Sequence, residues 1–162
     1  MDRPGPGPAP RPRIAVLSPY WTLWEHTAGP TFRADRLALA RSVAASLEDI
    51  VEPLLVAEVD SGEAGAAVGR ELVSADPAAV LVVQTMAVPA AWTMAALEVV
   101  PRTPVVVWAL HETGLVGSDF DHGSITTQGA TVGAPMVTNL LTRADRPFDL
   151  VLGRRDDPAT RD

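Results

Sequence analysis

After residue 13 the chain alternates short, continuous apolar runs with stretches whose apolar residues recur at helical spacing. Ile14–Ser18 (IAVLS) is such a run, the pattern of a strand buried on both faces. Residues 33–47 place Leu37, Ala40, Val43, Ala44 and Leu47 on one helical face, with Arg36, Arg41 and Glu48 elsewhere. Val51–Val59 reads as a second strand, and Pro53 within it marks a sheet edge or the strand's start. Asp60 and Glu63 have the spacing of a capping box, ahead of a stripe formed by Ala64, Val68 and Leu72. Asp76–Pro77 ends that helix. Ala79–Val83 is a third strand. Pro89 then stands where the first turn of a helix tolerates it, and the helix continues over Ala90–Val99. Pro104–Leu110 is a fourth strand, followed by a polar, glycine-rich stretch from His111 to Gly123. A helix is predicted within about 124–142, bent or restarted near Pro135. Phe148–Leu152 is the fifth strand.

Strands separated in this way by helices predict right-handed crossovers and a parallel sheet covered on both faces. The expected fold is therefore α/β: a flavodoxin-like, doubly wound, five-stranded parallel sheet in three layers. The predicted strand order is 2-1-3-4-5, with Val51–Val59 at one edge. Residues 13–162 read as a single α/β domain. Residues 1–12, rich in proline and glycine, read as a disordered, extended leader. The fifth strand lacks the closing helix usual in such folds. Either that sheet edge is bare, or the chain is one piece of a longer protein.

Composition narrows the chemistry. The 162 residues are 47% hydrophobic, enough for a sizeable core, and include no cysteine. That removes disulfides, thiol nucleophiles and Cys-ligated metals. All 13 basic residues are arginine, so Schiff-base lysines and P-loop lysines are absent too. A net charge of −7 argues against a nucleic-acid partner, which would need a basic face. No apolar run is long enough to span a bilayer, and the leader has no apolar stretch of the signal-peptide kind. The expectation is a cytoplasmic protein with no membrane partner.

In open parallel sheets ligands bind beyond the C-terminal ends of the strands. That rule selects Tyr20, Trp21, Trp24, Glu25 and His26 after the first strand, and Gln84, Thr85 and Met86 after the third. After the fourth it selects His111, Glu112 and Thr113, then Asp119, Asp121 and His122; after the fifth, Arg154 and Arg155. Each has a plainer alternative. The tryptophans could cap the core, the acids could be helix caps or solvated loop charges, and the histidines could be surface residues. His111, Glu112, Asp121 and His122 are permissible metal ligands, but no H-E-x-x-H spacing is present. No G-x-S-x-G elbow occurs. Gly62, Gly65 and Gly69 lack dinucleotide spacing and fit helix packing better. A flavin phosphate would need a small, hydroxyl-rich first loop, and PYWTLWEHTAG is bulky and aromatic.

The order of these pieces resembles the N-terminal domain of the L-arabinose isomerase and L-fucose isomerase-like family. The resemblance covers roughly residues 13–158. It rests on IAVLSPYWTLWEHTAGP, LVVQTMAVPAAW, PVVVWALHETG, FDHGSITTQGATVGAPM and FDLVLGRRDDP. Two departures stand out. ETG replaces the family's continuation after the strand-end histidine, and the first loop is more aromatic than in the arabinose enzymes. Family members interconvert aldoses and ketoses with a divalent metal, usually manganese. The metal ligands and proton-moving carboxylates belong to later domains. The resemblance implies no cofactor, metal ligand or catalytic residue in this chain itself. It implies instead a substrate-binding set: His111 reaching the sugar across a subunit boundary, Gln84 bordering the site, Tyr20, Trp21 and His26 in the first loop, and Gln128 before the next helix.

The expected function follows from that resemblance. The chain would be the substrate-side and oligomerisation domain of a metal-dependent sugar isomerase of carbohydrate metabolism, inactive alone. It would bind a sugar and form a homo-oligomer through the missing domains and across subunits. The alternative is a stand-alone flavodoxin-like module that binds or senses a small molecule such as a sugar.

Overall fold

The structure, a computed structural model, describes residues 10–114 and 116–160. Strand β1, Arg13–Pro19, is buried at every position after Arg13, as its unbroken apolar run requires of a strand covered on both sides. Helices α1 (Glu25–Ala28) and α2 (Phe32–Ser46) lead to β2, Glu52–Val59. The chain then continues through α3 (Gly62–Ala75), β3 (Ala79–Gln84), α4 (Ala90–Leu97) and β4 (Val105–Leu110). Helices α5 (His122–Thr127) and α6 (Ala130–Arg143) precede β5, Asp149–Gly153. All four strand pairings are parallel. The order β2-β1-β3-β4-β5 is the predicted flavodoxin-like order.

Two apolar layers sandwich the sheet. Val68 and Leu72 of α3, Met94 and Leu97 of α4, and Val137 and Leu141 of α6 cover one face, against Leu17, Val80, Val82 and Val107. On the other face Val43 and Ala44 of α2 meet Val16, Val83, Trp108 and Leu110. Helices α3 and α4 lie very close. A Cβ on Gly65 would stand 2.2 Å from the Trp92 carbonyl oxygen, so the glycines of this helix serve packing, as their spacing suggests. Arg146 caps the C-terminal end of α4. Its guanidinium donates to the carbonyls of Leu97, Val100 (2.9 Å) and Thr103 (3.0 Å), groups a helix end leaves without partners.

Some local expectations are corrected. The Ser61 hydroxyl, not Asp60, caps α3, accepting the Ala64 N–H at 3.0 Å; Asp60 is drawn instead to Arg33. The break between α5 and α6 falls at Gln128–Gly129, and Pro135 lies inside α6. The β1–β2 register shifts between Ile14 and Ala15, leaving Leu54 unmatched beside Pro53. A proline cannot donate to the ladder, and a bulge at an edge strand absorbs that loss. Residues 1–9 of the predicted leader lie outside the described residues; Pro12, its last residue, accepts the Glu52 N–H at 2.9 Å. Among the described residues no helix is long and apolar enough to cross a membrane. After β5 they hold only a 3-10 turn at Pro158–Thr160. Leu150 and Leu152 stay 47% and 64% exposed.

Candidate functional site

The strand order reverses between β1 and β3, where a crevice is expected beyond the strand ends. Here that crevice is filled. Tyr20 and Met86, just past the two strands, are fully buried together with Phe32 and Val88. Trp21, Trp24 and Trp92 pack against this plug. Trp21 meets Trp24 edge-on at 5.8 Å and Trp92 at 6.3 Å between ring centroids. The Trp24 indole donates to the Ala87 carbonyl at 2.7 Å. Both first-loop tryptophans are therefore engaged in packing, and both are half-buried.

Charge surrounds the plug. The Tyr20 hydroxyl donates to Glu25 at 2.8 Å, and burial, reinforced by that carboxylate, pushes its pKa well above the usual phenol value. Arg33 lies 5.2 Å over the Tyr20 ring and binds both Glu58 and Asp60. Burial raises the Glu58 pKa, against the opposing pull of Arg33. A second pair joins α2 to the loop after β4: Arg36, only 5% exposed, contacts Glu112. The Arg36 Nε and NH1 groups make no aligned hydrogen bond, so charge rather than directed bonding holds the pair.

The sequence-derived site residues divide between these surroundings. Gln84 is fully buried. Its amide donates to the Met86 carbonyl, and the side chain lies against Gly133 of α6. It supports the loop from beneath and faces no open crevice. Tyr20 is likewise interior. His26, on α1, is exposed, and α1 packs against α5, so the first loop and the segment after β4 are neighbours. His111 is half-buried immediately after β4, its backbone N–H donating to the Gly153 carbonyl at 3.2 Å. The Gln128 side-chain carbonyl accepts the Glu112 N–H at 3.3 Å, which ties the end of α5 to the His111 strand end. The structure thus brings His111 and Gln128 together and leaves Gln84 and Tyr20 in the interior.

Beside Gln128 lies a small cavity of about 220 Å³ lined by Thr113, Asp119, Phe120, Ser124 and Thr127. Asp121 caps α5, accepting the Ser124 N–H at 2.8 Å and its hydroxyl at 2.9 Å. These bonds hold its carboxyl below the usual range. Among the described residues no three His, Asp or Glu side chains gather as a metal site needs. Glu112 is engaged by Arg36 and Asp121 by Ser124.

The residue pattern sets Arg36 off the apolar face of its helix. The structure buries it, because the stripe begins one turn earlier, at Phe32, and runs through Arg36 to Ala40 and Val43. Arg36 stacks over the Phe32 ring at 5.2 Å. A charge inside an apolar stripe at helical spacing was the available sign. No protein-family model matches the chain, and no curated protein matches it in sequence.

Proposed function

We propose that this chain supplies the substrate-side wall of a sugar-binding crevice in a metal-dependent aldose–ketose isomerase-like protein of carbohydrate metabolism. One observation carries the reading. The strand-end His111 is linked through the Glu112–Gln128 bond to a 220 Å³ cavity lined by hydroxyl, amide and carboxylate groups and the Phe120 ring. Drug-sized ligands occupy pockets of about 300–1,000 Å³; this one is on the scale of a monosaccharide. Hydroxyl and amide side chains both donate and accept, as sugar hydroxyls do. On this reading the Gln128 amide, which lines the cavity, would read sugar hydroxyls, His111 would reach the sugar from the neighbouring strand end, and Phe120 would present a ring face or edge to the sugar's C–H groups. The contribution assigned to this chain is binding and orientation. Manganese and the proton-moving carboxylates of the isomerisation would come from outside it.

Saturation-transfer NMR of the 162-residue chain with L-arabinose and L-fucose tests the reading. Transfer to one of the sugars is expected. His111→Ala should weaken it two- to tenfold, roughly the 0.5–1.5 kcal/mol of a neutral hydrogen bond. No transfer to either sugar, or transfer unchanged in His111→Ala, would refute it.

A further inference from the structure

Arg36 is buried without the partners a buried arginine needs. Its side chain is only 6% exposed, lies over the Phe32 ring and belongs to the apolar stripe of α2. A guanidinium carries five N–H donors, and buried donors are nearly always paired. Here neither Nε nor NH1 has an aligned acceptor. The nearby acids of α2 and β2 are already engaged: Asp35 accepts from the Thr31 hydroxyl at 2.9 Å, and Glu58 and Asp60 hold Arg33. Among the described residues Glu112 alone forms an ion pair with Arg36.

That pair is lopsided. The Glu112 side chain is 38% exposed, and it stands on the polar stretch after β4, tied there by its backbone N–H to Gln128. Well-formed arginine–carboxylate pairs are often bidentate, with two parallel N–H···O bonds; this one meets through NH1 without alignment. The acid already reaches water and can swing into it, whereas the arginine cannot follow, and a buried charge left alone is strongly unfavourable. The same loop meets a second arginine. A Cβ on Gly114 would stand 3.1 Å from Arg154 NH1, so that guanidinium, which also lies 3.4 Å from Asp156, comes against the loop two residues from Glu112.

We propose that Arg36 is the receptor of a carboxylate-binding site in which Glu112 is the resident stand-in. A small organic carboxylate enters between α2 and the loop after β4, displaces the Glu112 side chain into solvent and takes two parallel hydrogen bonds from the Arg36 guanidinium. The group already seated there names the ligand class: a carboxylate, whose plane matches the guanidinium fork. Glu112 supplies the charge without the directed bonds, so an incoming acid gains what the resident one lacks. The site is the Arg36 guanidinium and not the cavity beside Gln128, so this inference and the sugar reading can fail separately.

Sodium acetate is the probe, with sodium chloride at equal ionic strength as the control. Nitrogen-15 NMR of the 162-residue chain reads the Arg36 Nε–H and the backbone amide of residue 112. Acetate should shift both saturably, and chloride neither. Glu112→Ala removes the internal competitor and should bind acetate about tenfold more tightly or better, and acetate should restore part of the Tm that the substitution loses. Glu112→Gln, which keeps the shape without the charge, replaces it if the alanine variant does not fold. Arg36→Met should leave the residue 112 amide indifferent to acetate. No saturable shift in the parent chain overturns the proposal even if acetate rescues Glu112→Ala, because Glu112 is then a structural counter-ion only. Unchanged affinity without the Glu112 carboxylate, binding that persists in Arg36→Met, or an equal response to chloride overturns it too. Tighter binding of inorganic phosphate than of acetate would overturn the carboxylate assignment.

Discussion

Replacing Gly133 with alanine adds a single methyl group where α6 crosses the loop after β3. That methyl would stand 2.0 Å from the Met86 carbonyl oxygen, 2.5 Å from Gln84 Nε2 and 2.9 Å from Gln84 Cγ. None of these neighbours can swing away. The carbonyl is backbone, and the Gln84 side chain is fully buried and bonded to that same carbonyl. Relief requires α6 or the Met86 loop to move by about an ångström, since carbon and oxygen need more than 3 Å, and that unseats Ala134, Val137 and Leu141 from the core. Overpacking of this kind costs about 1–3 kcal/mol or more, and the better helix propensity of alanine returns up to about 1 kcal/mol. The expected net loss is about 1–2 kcal/mol, which lowers Tm by roughly 2–8 °C for a chain of this size. Gly62→Ala is the control, because its methyl would find only Trp92 Cδ1, at an ordinary 3.8 Å. Thermal unfolding followed by circular dichroism reads both. A Gly133→Ala protein as stable as its parent would refute the close-packed arrangement of α6 over Gln84.

Two further outcomes follow from the charges. Glu112→Gln leaves the buried Arg36 guanidinium without a counter-charge and should cost about 1–3 kcal/mol, below the 3–5 of a fully buried pair because the Glu112 side chain is 38% exposed. Arg36→Met, which removes the charge itself, should cost less; urea midpoints in the opposite order would show that the pair is not the source of the effect. The Asp121 carboxyl is held below its ordinary range by Ser124, so its cap stabilises the fold above that range and is lost as pH falls through its lowered titration. NMR should find Asp121 titrating below an ordinary aspartate and the Ser124 amide shifting with it, and a titration at or above the ordinary value would be the contrary result.

The sheet is legible in the sequence because its strands are covered on both sides. Runs such as IAVLS and PVVVWAL have no polar face to confuse with a helix, and their ends shift by only a residue or two in the structure. Where the misreadings lie is equally physical. A helix begun at residue 33 sets Arg36 off the apolar face, because it leaves out Phe32, the residue one turn earlier that extends the stripe through Arg36. Gln84 was read as lining an opening because it follows a strand, and a periodic pattern does not say that α6 will come down on that loop at a glycine. Capping at Ser61 rather than Asp60 turned on a distant partner, Arg33, which competes for the aspartate.

The filled switch point bears on where the proposed sugar recognition would occur. Three acids near the ends of β1 and β2, Glu25, Glu58 and Asp60, are already engaged by Tyr20 and Arg33, and the space between β1 and β3 is occupied by Tyr20, Met86, Phe32 and Val88. A ligand meets closed, self-paired surface there. One strand further along, the situation reverses. His111 is fixed by a backbone bond to β5, whereas α5 opposite it is held largely by short-range bonds of its own: Asp121 to Ser124, Thr126 to His122 and Thr127 to Ser124. Of the six α5 residues only Thr126 is buried. A wall with so few buried contacts rearranges at low cost, whereas the backbone of His111 is tied to the sheet. On the sugar-binding reading proposed above, that combination of a tethered strand end and an adjustable polar wall would put recognition at the end of β4 and not at the crevice between β1 and β3.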